Sequence, residues 1–193
     1  MPAPSKIVCI GRNYREHARE MGNDVPKEPL FFLKAPSSII AAGDNIELPA
    51  GSSHVEFEGE IAVILGTRLR KATEAQARAA VTHVVALNDV TARDWQKGDD
   101  QWTRAKGHDT FCPIGTPVAA PADLDAITLV TRVNGVECQR ATGADMVFAI
   151  PMVLAYISQY MTLEPGDIIA TGTPAGTKAL HPGDVVEVEL VGL

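Results

Sequence analysis

The 193-residue chain has little of what marks several large classes of protein. Its three cysteines, Cys9, Cys112 and Cys138, stand far apart and form no CxxC pair. That argues against a disulfide framework and a zinc ribbon, and it fits a reducing compartment. It has no basic tract: 17 Lys and Arg stand against 24 Asp and Glu, for a net charge of −7. Nucleic acid and anionic membranes are therefore not expected partners. It has no long apolar run either. The longest uncharged stretch, residues 146–161, is shorter than a bilayer span and is interrupted by Pro151. The first residues, MPAPSKIVCIGRN, lack the apolar region of a signal peptide. There is no repeat, linker or low-complexity segment. The expectation is one cytoplasmic domain over residues 1–193.

What the chain does have is an acidic stretch running into an apolar one, residues 54–66, HVEFEGEIAVILG. Read as a strand, it alternates, with Glu56, Glu58 and Glu60 pointing one way. Three carboxylates on one face repel each other and are costly to bury, so a hard divalent cation is the simplest counterpart. The other reading is an amphipathic edge strand with a solvated acidic face. Residues 61–65 are apolar without a break, as in a strand covered on both sides.

Elsewhere the pattern is of many short strands and about three helices, a β-rich α+β domain. Residues 6–10 read as a strand, and Asn13 as the N-cap of a helix to about Met21. On that helix His17 and Glu20 are three apart and share a face. They are either a carboxylate-oriented imidazole or a surface pair in the charged run REHARE. Gly22 ends the helix, and a Gly- and Pro-bounded segment of this kind can act as a lid. Residues 30–35, 39–40 and 45–48 read as strand pieces. Thr73 caps a helix over 74–81, and 83–90 returns as a buried strand ending near Asp89. Residues 94–98 read as a turn. Lys106, between Ala105 and Gly107, is either a snorkelling surface lysine or an electrophile or general acid for a carbonyl. Asn134-Gly135 marks a hairpin between strands at 127–133 and 136–140. Residues 150–161 read as a helix apolar nearly all round and hence buried. The loop at 171–176, TGTPAG, offers amides and hydroxyls to an anionic oxygen but lacks the lysine of a nucleotide loop. Residues 168–170 and 185–191 read as the last strands.

Four motifs, taken together, resemble the fumarylacetoacetate hydrolase superfamily, in particular its short acylpyruvate-hydrolase-like members. They are GRNYREHARE at 11–20, EFEGEIAVILG at 56–66, NDVTARDWQ at 88–96 and LEPGDIIATGTPAG at 163–176. WTRAKGHDTFCPIG at 102–115 and DMVFAIP at 145–151 add to them, and the resemblance runs nearly the whole chain in order. It implies a mixed β-sandwich roll of the fumarylacetoacetate hydrolase C-terminal-domain type, as a homodimer. It implies a Mg2+ or Mn2+ site of Glu58, Glu60 and Asp89, with Glu56 outside the ligand set. It makes His17 and Glu20 a water-activating dyad and Lys106 the stabiliser of an oxyanion or enolate. Arg93 and Gln96 would grip the keto-acid end of a small-molecule substrate, with Thr173 on its carboxylate. The implied reaction is hydrolysis of a carbon–carbon bond in a β-diketo acid such as an acylpyruvate or fumarylpyruvate. The alternatives are decarboxylation of oxaloacetate, an isomerase or hydratase-lyase acting on a related 2-keto acid, and a keto-acid-binding protein without turnover. Two departures stand out. His108 replaces an aromatic and could share the face of Lys106, and Thr116 follows Gly115 where proline is common.

Overall fold

The computed structural model describes residues 3–193; Met1 and Pro2, part of the segment read for a leader, lie outside the described residues. In chain order the elements are β1 (Ile7–Gly11), α1 (Arg15–Glu20), β2 (Leu30–Lys34), β3 (Ile39–Ala41), β4 (Val55–Glu56) and β5 (Gly59–Leu65). Next come α2 (Glu74–Ala80), β6 (Val81–Asn88), β7 (Thr91–Ala92), α3 (Arg93–Gly98), α4 (Thr103–Lys106), β8 (Cys112–Ile114) and β9 (Val118–Ala119). The last are β10 (Thr128–Val133), β11 (Val136–Thr142), α5 (Ile150–Tyr160), β12 (Ile168–Ala170) and β13 (Val186–Leu190).

Seven strands follow one another in a curled mixed sheet, β2-β1-β12-β5-β6-β8-β3, with β9 paired to β6. β1 runs parallel to β12, and β3 to β8; the other pairs in this sheet are antiparallel. A second antiparallel sheet, β11-β10-β13, packs against it, and β4 pairs with β7 in a short ribbon. β5 is the hub. Every one of its residues is buried, with Ile61, Val63 and Leu65 in one core and Ala62 and Ile64 in the other. This is the two-sided burial expected of an unbroken apolar run. The larger core also takes Val153, Leu154 and Ile157 of α5 and Leu129 of β10. The Thr73 cap of α2 forms as read, a capping box with Gln76.

Several expectations are corrected. The acidic stretch is not one strand: it breaks at residues 57–58, between β4 in the ribbon and β5 in the main sheet. Residues 45–48 form no strand, because the chain there pairs with no neighbour and runs as irregular loop. Among the described residues there are five α-helices, and residues 94–98 belong to one of them, α3. α5 is buried along one face only. Tyr160 is 64% exposed, because its ring stacks with Tyr156 and Phe31 on the outside of the fold. Asn13 does not cap α1, whose N-cap is Tyr14 without a side-chain bond. Its amide instead donates to Phe148 O (3.1 Å) and Thr171 O (2.8 Å) and accepts from Phe148 N–H (2.8 Å).

Candidate active site

The break in the acidic stretch is where the site begins. Asn88, the last residue of β6, accepts the Glu58 N–H on its side-chain oxygen (2.9 Å), while Glu58 O accepts the Asp89 N–H (2.8 Å). These two bonds bring the carboxylates of Glu58, Glu60 and Asp89 together at the ends of β5 and β6. One oxygen from each lies within 4.8 Å of the others, and all three residues are buried.

Three cationic side chains converge on this group. Lys106 Nζ donates to Glu58 Oε2 (2.5 Å) and Asp89 Oδ2 (2.7 Å). Lys34 Nζ donates to Asp89 Oδ1 (2.6 Å) and to the carbonyl of Lys106. Arg93 Nη2 bridges Glu56 Oε2 (2.6 Å) and Glu58 Oε1 (2.7 Å). Glu56 is thus held as an ion-pair partner, outside the trio. Burial pushes the Glu58 carboxyl up, but Lys106, Arg93 and His17 overcome that and hold it well below its ordinary value. Burial alone would lower Lys106; Asp89 and Glu58 outweigh it and keep the lysine above its ordinary value, a fixed cation. Glu60 differs. Among the described residues no cationic side chain pairs with it, and its bond is to the Gly172 N–H (2.8 Å). Burial, Asp89 and Glu58 together push its carboxyl well up. A buried acid trio with one member lacking a cation is the donor set a hard divalent ion fits.

Across the cleft, α1 presents His17, buried, with its Nδ1 3.0 Å from Glu20 Oε2. The surface-pair reading therefore gives way: the imidazole faces inward and the carboxylate orients it. The 171–176 loop does not wait for an outside anion. Its Gly172 amide holds Glu60, and its Gly176 amide donates to Glu20 Oε1 at 3.1 Å and Oε2 at 3.3 Å. Gly172 (φ +101°) and Gly176 (φ +105°) take a backbone that other residues rarely adopt, which is how the loop aims these amides.

The cleft between the two halves has a volume of about 340 Å³. His17, Glu58, Glu60, Arg93, Gln96, Lys106 and Thr173 line it, with Phe32, Trp102 and Ile10 as apolar wall. Gln96 Oε1 accepts from Arg93 Nη1 (2.6 Å), which leaves its amide N–H groups as donors. Thr173 is less free than expected. Its hydroxyl donates to Gly59 O (2.8 Å) and accepts from Gln139 Nε2 (2.8 Å). His108 does not share the cleft with Lys106. It lies between the rings of Trp95 and Phe111, at 6.1 and 5.1 Å, because α4 ends at Lys106 and the chain turns away.

Sequence reasoning missed Lys34, Asn13, Asn88 and Gln139. The one available signal was Lys34, a single charge in the apolar strand LFFLK.

Residues 6–193 match the family described as fumarylacetoacetate (FAA) hydrolase C-terminal. The chain is 41% identical over 199 residues to the bovine (Bos taurus) mitochondrial oxaloacetate tautomerase FAHD2A, covering 97% of this chain and 63% of that protein. Among solved structures, 2-hydroxyhepta-2,4-diene-1,7-dioate isomerase from Mycobacterium marinum superposes with a TM-score of 0.90 at 41% identity, over 99% of this chain and 72% of that one. Fumarylpyruvate hydrolase from Pseudomonas aeruginosa, in complex with Mn2+ and pyruvate, gives a TM-score of 0.90 at 29% identity, over 98% and 86%.

Proposed function

The chain belongs to the fumarylacetoacetate hydrolase family, and from that premise we propose that it is a metal-dependent hydrolase cleaving a carbon–carbon bond of a β-diketo acid such as an acylpyruvate or fumarylpyruvate. The observation that carries this reading is that one cleft is lined by two members of an acid trio short of one cation and by a histidine oriented by a carboxylate. Glu58, Glu60 and Asp89 would hold Mg2+ or Mn2+, which when bound acts as a Lewis acid on the keto-acid oxygens.

The chain's own residues do the rest. Arg93 and Gln96 orient the pyruvoyl carboxylate, with Thr173 beside it once its hydroxyl turns from Gly59. His17, held by Glu20, takes a proton from water. The resulting hydroxide attacks the distal carbonyl carbon. The bond between that carbon and the pyruvate C3 breaks, and its electron pair becomes the enolate of pyruvate. Lys106, kept protonated between two carboxylates, stabilises the developing negative charge. The proton returns from His17 to the enolate carbon, giving pyruvate and a carboxylic acid.

The name of the bovine relative favours a second reading, tautomerisation of oxaloacetate. His17 would then move a proton between carbon and oxygen with no attacking water, and decarboxylation of oxaloacetate or isomerisation of another 2-keto acid would use the same enolate. One panel separates them: acylpyruvates, fumarylpyruvate and oxaloacetate with Mg2+, before and after chelation. Metal-dependent release of pyruvate from an acylpyruvate supports the hydrolase. Turnover of oxaloacetate alone, or full activity after chelation, refutes it.

The reading also takes residues 1–193 as one catalytic domain, working in the cytoplasm as a homodimer without nucleic acid or membrane partners. No helix among the described residues is long and apolar enough to cross a membrane. Light scattering on the purified protein tests the dimer.

A further inference from the structure

Gln139 carries no proposed ligand, yet it ties the two sides of the site together. It reaches in from β11, in the second sheet, and is 1% exposed. Its Oε1 accepts the Gly59 N–H (3.1 Å), and its Nε2 donates to Thr173 Oγ (2.8 Å) and Pro174 O (2.7 Å). Thr173 Oγ donates in turn to Gly59 O (2.8 Å). A single amide thus closes a ring between the peptide that joins Glu58 to Glu60 and the 171–176 loop. The second sheet presses closely on both. A Cβ on Gly59 would lie 1.9 Å from Thr131 Oγ1, and one on Gly176 would lie 2.1 Å from Cys138 O. Thr131 Oγ1 has no hydrogen-bond partner among the described residues. The contact of Thr131 with Gly59 is therefore packing, and Gln139 is the polar link. The loop it holds then grips both halves of the cleft, through Gly172 N–H to Glu60 and Gly176 N–H to Glu20.

We infer that Gln139 is a positioning residue that sets the acidic turn and the 171–176 loop against each other, so that the carboxylate trio and the His17–Glu20 pair keep one fixed relation. This rests on the reading of the trio as a cation site. The side-chain chemistry is specific: the position uses one acceptor and two donors at a single buried amide. Methionine has the length and supplies none of them. Ionised glutamate supplies the acceptor and neither donor. Groups that orient metal ligands govern metal affinity and activity, and Gln139 would do so through the Gly59 peptide between two of them.

The test uses full-length Gln139→Met and Gln139→Glu beside the unaltered protein, at a temperature where circular dichroism shows all three folded. Mn2+ affinity is measured by calorimetric titration without substrate, and kcat and KM at saturating Mn2+ with whichever of an acylpyruvate, fumarylpyruvate and oxaloacetate the unaltered protein turns over. Gln139→Met is expected to weaken Mn2+ binding by about 10- to 100-fold and to lower kcat by about 10-fold even when saturated. Gln139→Glu, which keeps the acceptor for Gly59, is expected to recover Mn2+ affinity to within about 3-fold while kcat stays low, because the loop is no longer held. A merely structural glutamine predicts a lower Tm with Mn2+ affinity and kcat unchanged in the folded variants, and that result overturns the inference while leaving the cation site standing. An unaltered protein that binds no Mn2+ overturns both.

Discussion

The acidic end of the cleft and the helix facing it are built in opposite ways. Around Glu58, Glu60 and Asp89 every charge is buried, and nearly every carboxylate oxygen has a donor drawn from a distant segment: Lys34, Arg93, Lys106 or Gly172. α1 has six residues, no side-chain cap and four exposed positions; the carboxylate of its Glu20 is tied to the rest of the fold through the Gly176 amide. A short uncapped helix contributes little stability of its own. The lesson is a division of labour. The half that would hold a cation is fixed by long-range ion pairs; the half that would move a proton is the one we propose as a lid, closed here by the Gly176 amide.

The sharpest way to break the rigid half is at Asp89, which receives both Lys34 and Lys106. Asp89→Asn should lower hydrolysis and any oxaloacetate turnover together, by about 10³-fold, as loss of a charge-stabilising group does. It should abolish Mn2+ binding. Because buried Lys34 loses its carboxylate partner and Lys106 one of its two, unfolding in denaturant should show a loss of about 3–5 kcal/mol. A folded variant that keeps metal and activity would refute the assignment of the trio.

The half that carries His17 should break differently. His17→Ala should reduce acylpyruvate hydrolysis by roughly 10²-fold or more, the usual contribution of a positioned base. Decarboxylation of oxaloacetate needs enolate stabilisation and no activated water, so it should fall much less. Mn2+ affinity should hardly change. Equal loss of both activities with metal still bound would mean that the histidine serves only to close the cleft.

If α1 opens and closes, amide exchange over residues 13–21 should be fast in the free protein and slow by about 10-fold or more on adding oxalate with Mg2+. Exchange in β5, buried throughout, should not respond. Equal rates with and without oxalate would remove the lid from the account and erase the contrast between the halves.

Why the sequence disclosed one half better than the other follows from the same contrast. β5 was legible because a two-sided core strand is written as an uninterrupted apolar run; spacing two marked Glu56, Glu58 and Glu60 alike, and only the family resemblance set Glu56 aside and added Asp89. Of the three cations, Lys34 was not legible. In β2, hydropathy puts Leu33 inside and Lys34 outside, yet Leu33 is 45% exposed and Lys34 1%. The inversion comes from Asp89, 55 residues further on, and no local pattern encodes a partner at that separation. Asn13 misled for a related reason. Next to a helix start it offers a cap, but Phe148 and Thr171 bind its amide instead. The alternation of Glu56, Glu58 and Glu60 was read as one strand because the break at residues 57–58 depends on Asn88 and Gln139. The dyad was visible as a spacing of three, but its inward face was set by packing of Ala18 and Tyr14.

The smallest expected effect tests how far the rigid half extends. Asp94, at the start of α3 beside Arg93, accepts from Ser52 Oγ (2.6 Å), the Ser53 N–H (2.8 Å) and the Trp95 N–H (3.0 Å). What burial it has pushes its carboxyl up slightly, but these donors pull it down to about 2 from an ordinary 3.8. A carboxyl with a depressed folded value contributes stability above its unfolded value and loses it as pH falls through the folded one. The contribution is therefore complete above about pH 4 and gone near pH 2. Asp94 is half-buried and open to solvent screening, so the effect is small. Asp94→Asn should lower Tm at pH 7 by about 2 °C, with the gap closing between pH 4 and pH 2. Arg93 joins Glu56 and Glu58 from the same turn of helix. If the rigid half includes this turn, Asp94→Asn should also weaken Mn2+ binding by about 2-fold at pH 7, a small share of what direct loss of an outer partner costs. A Tm gap with unchanged Mn2+ affinity would place the boundary of the rigid half between Arg93 and Asp94.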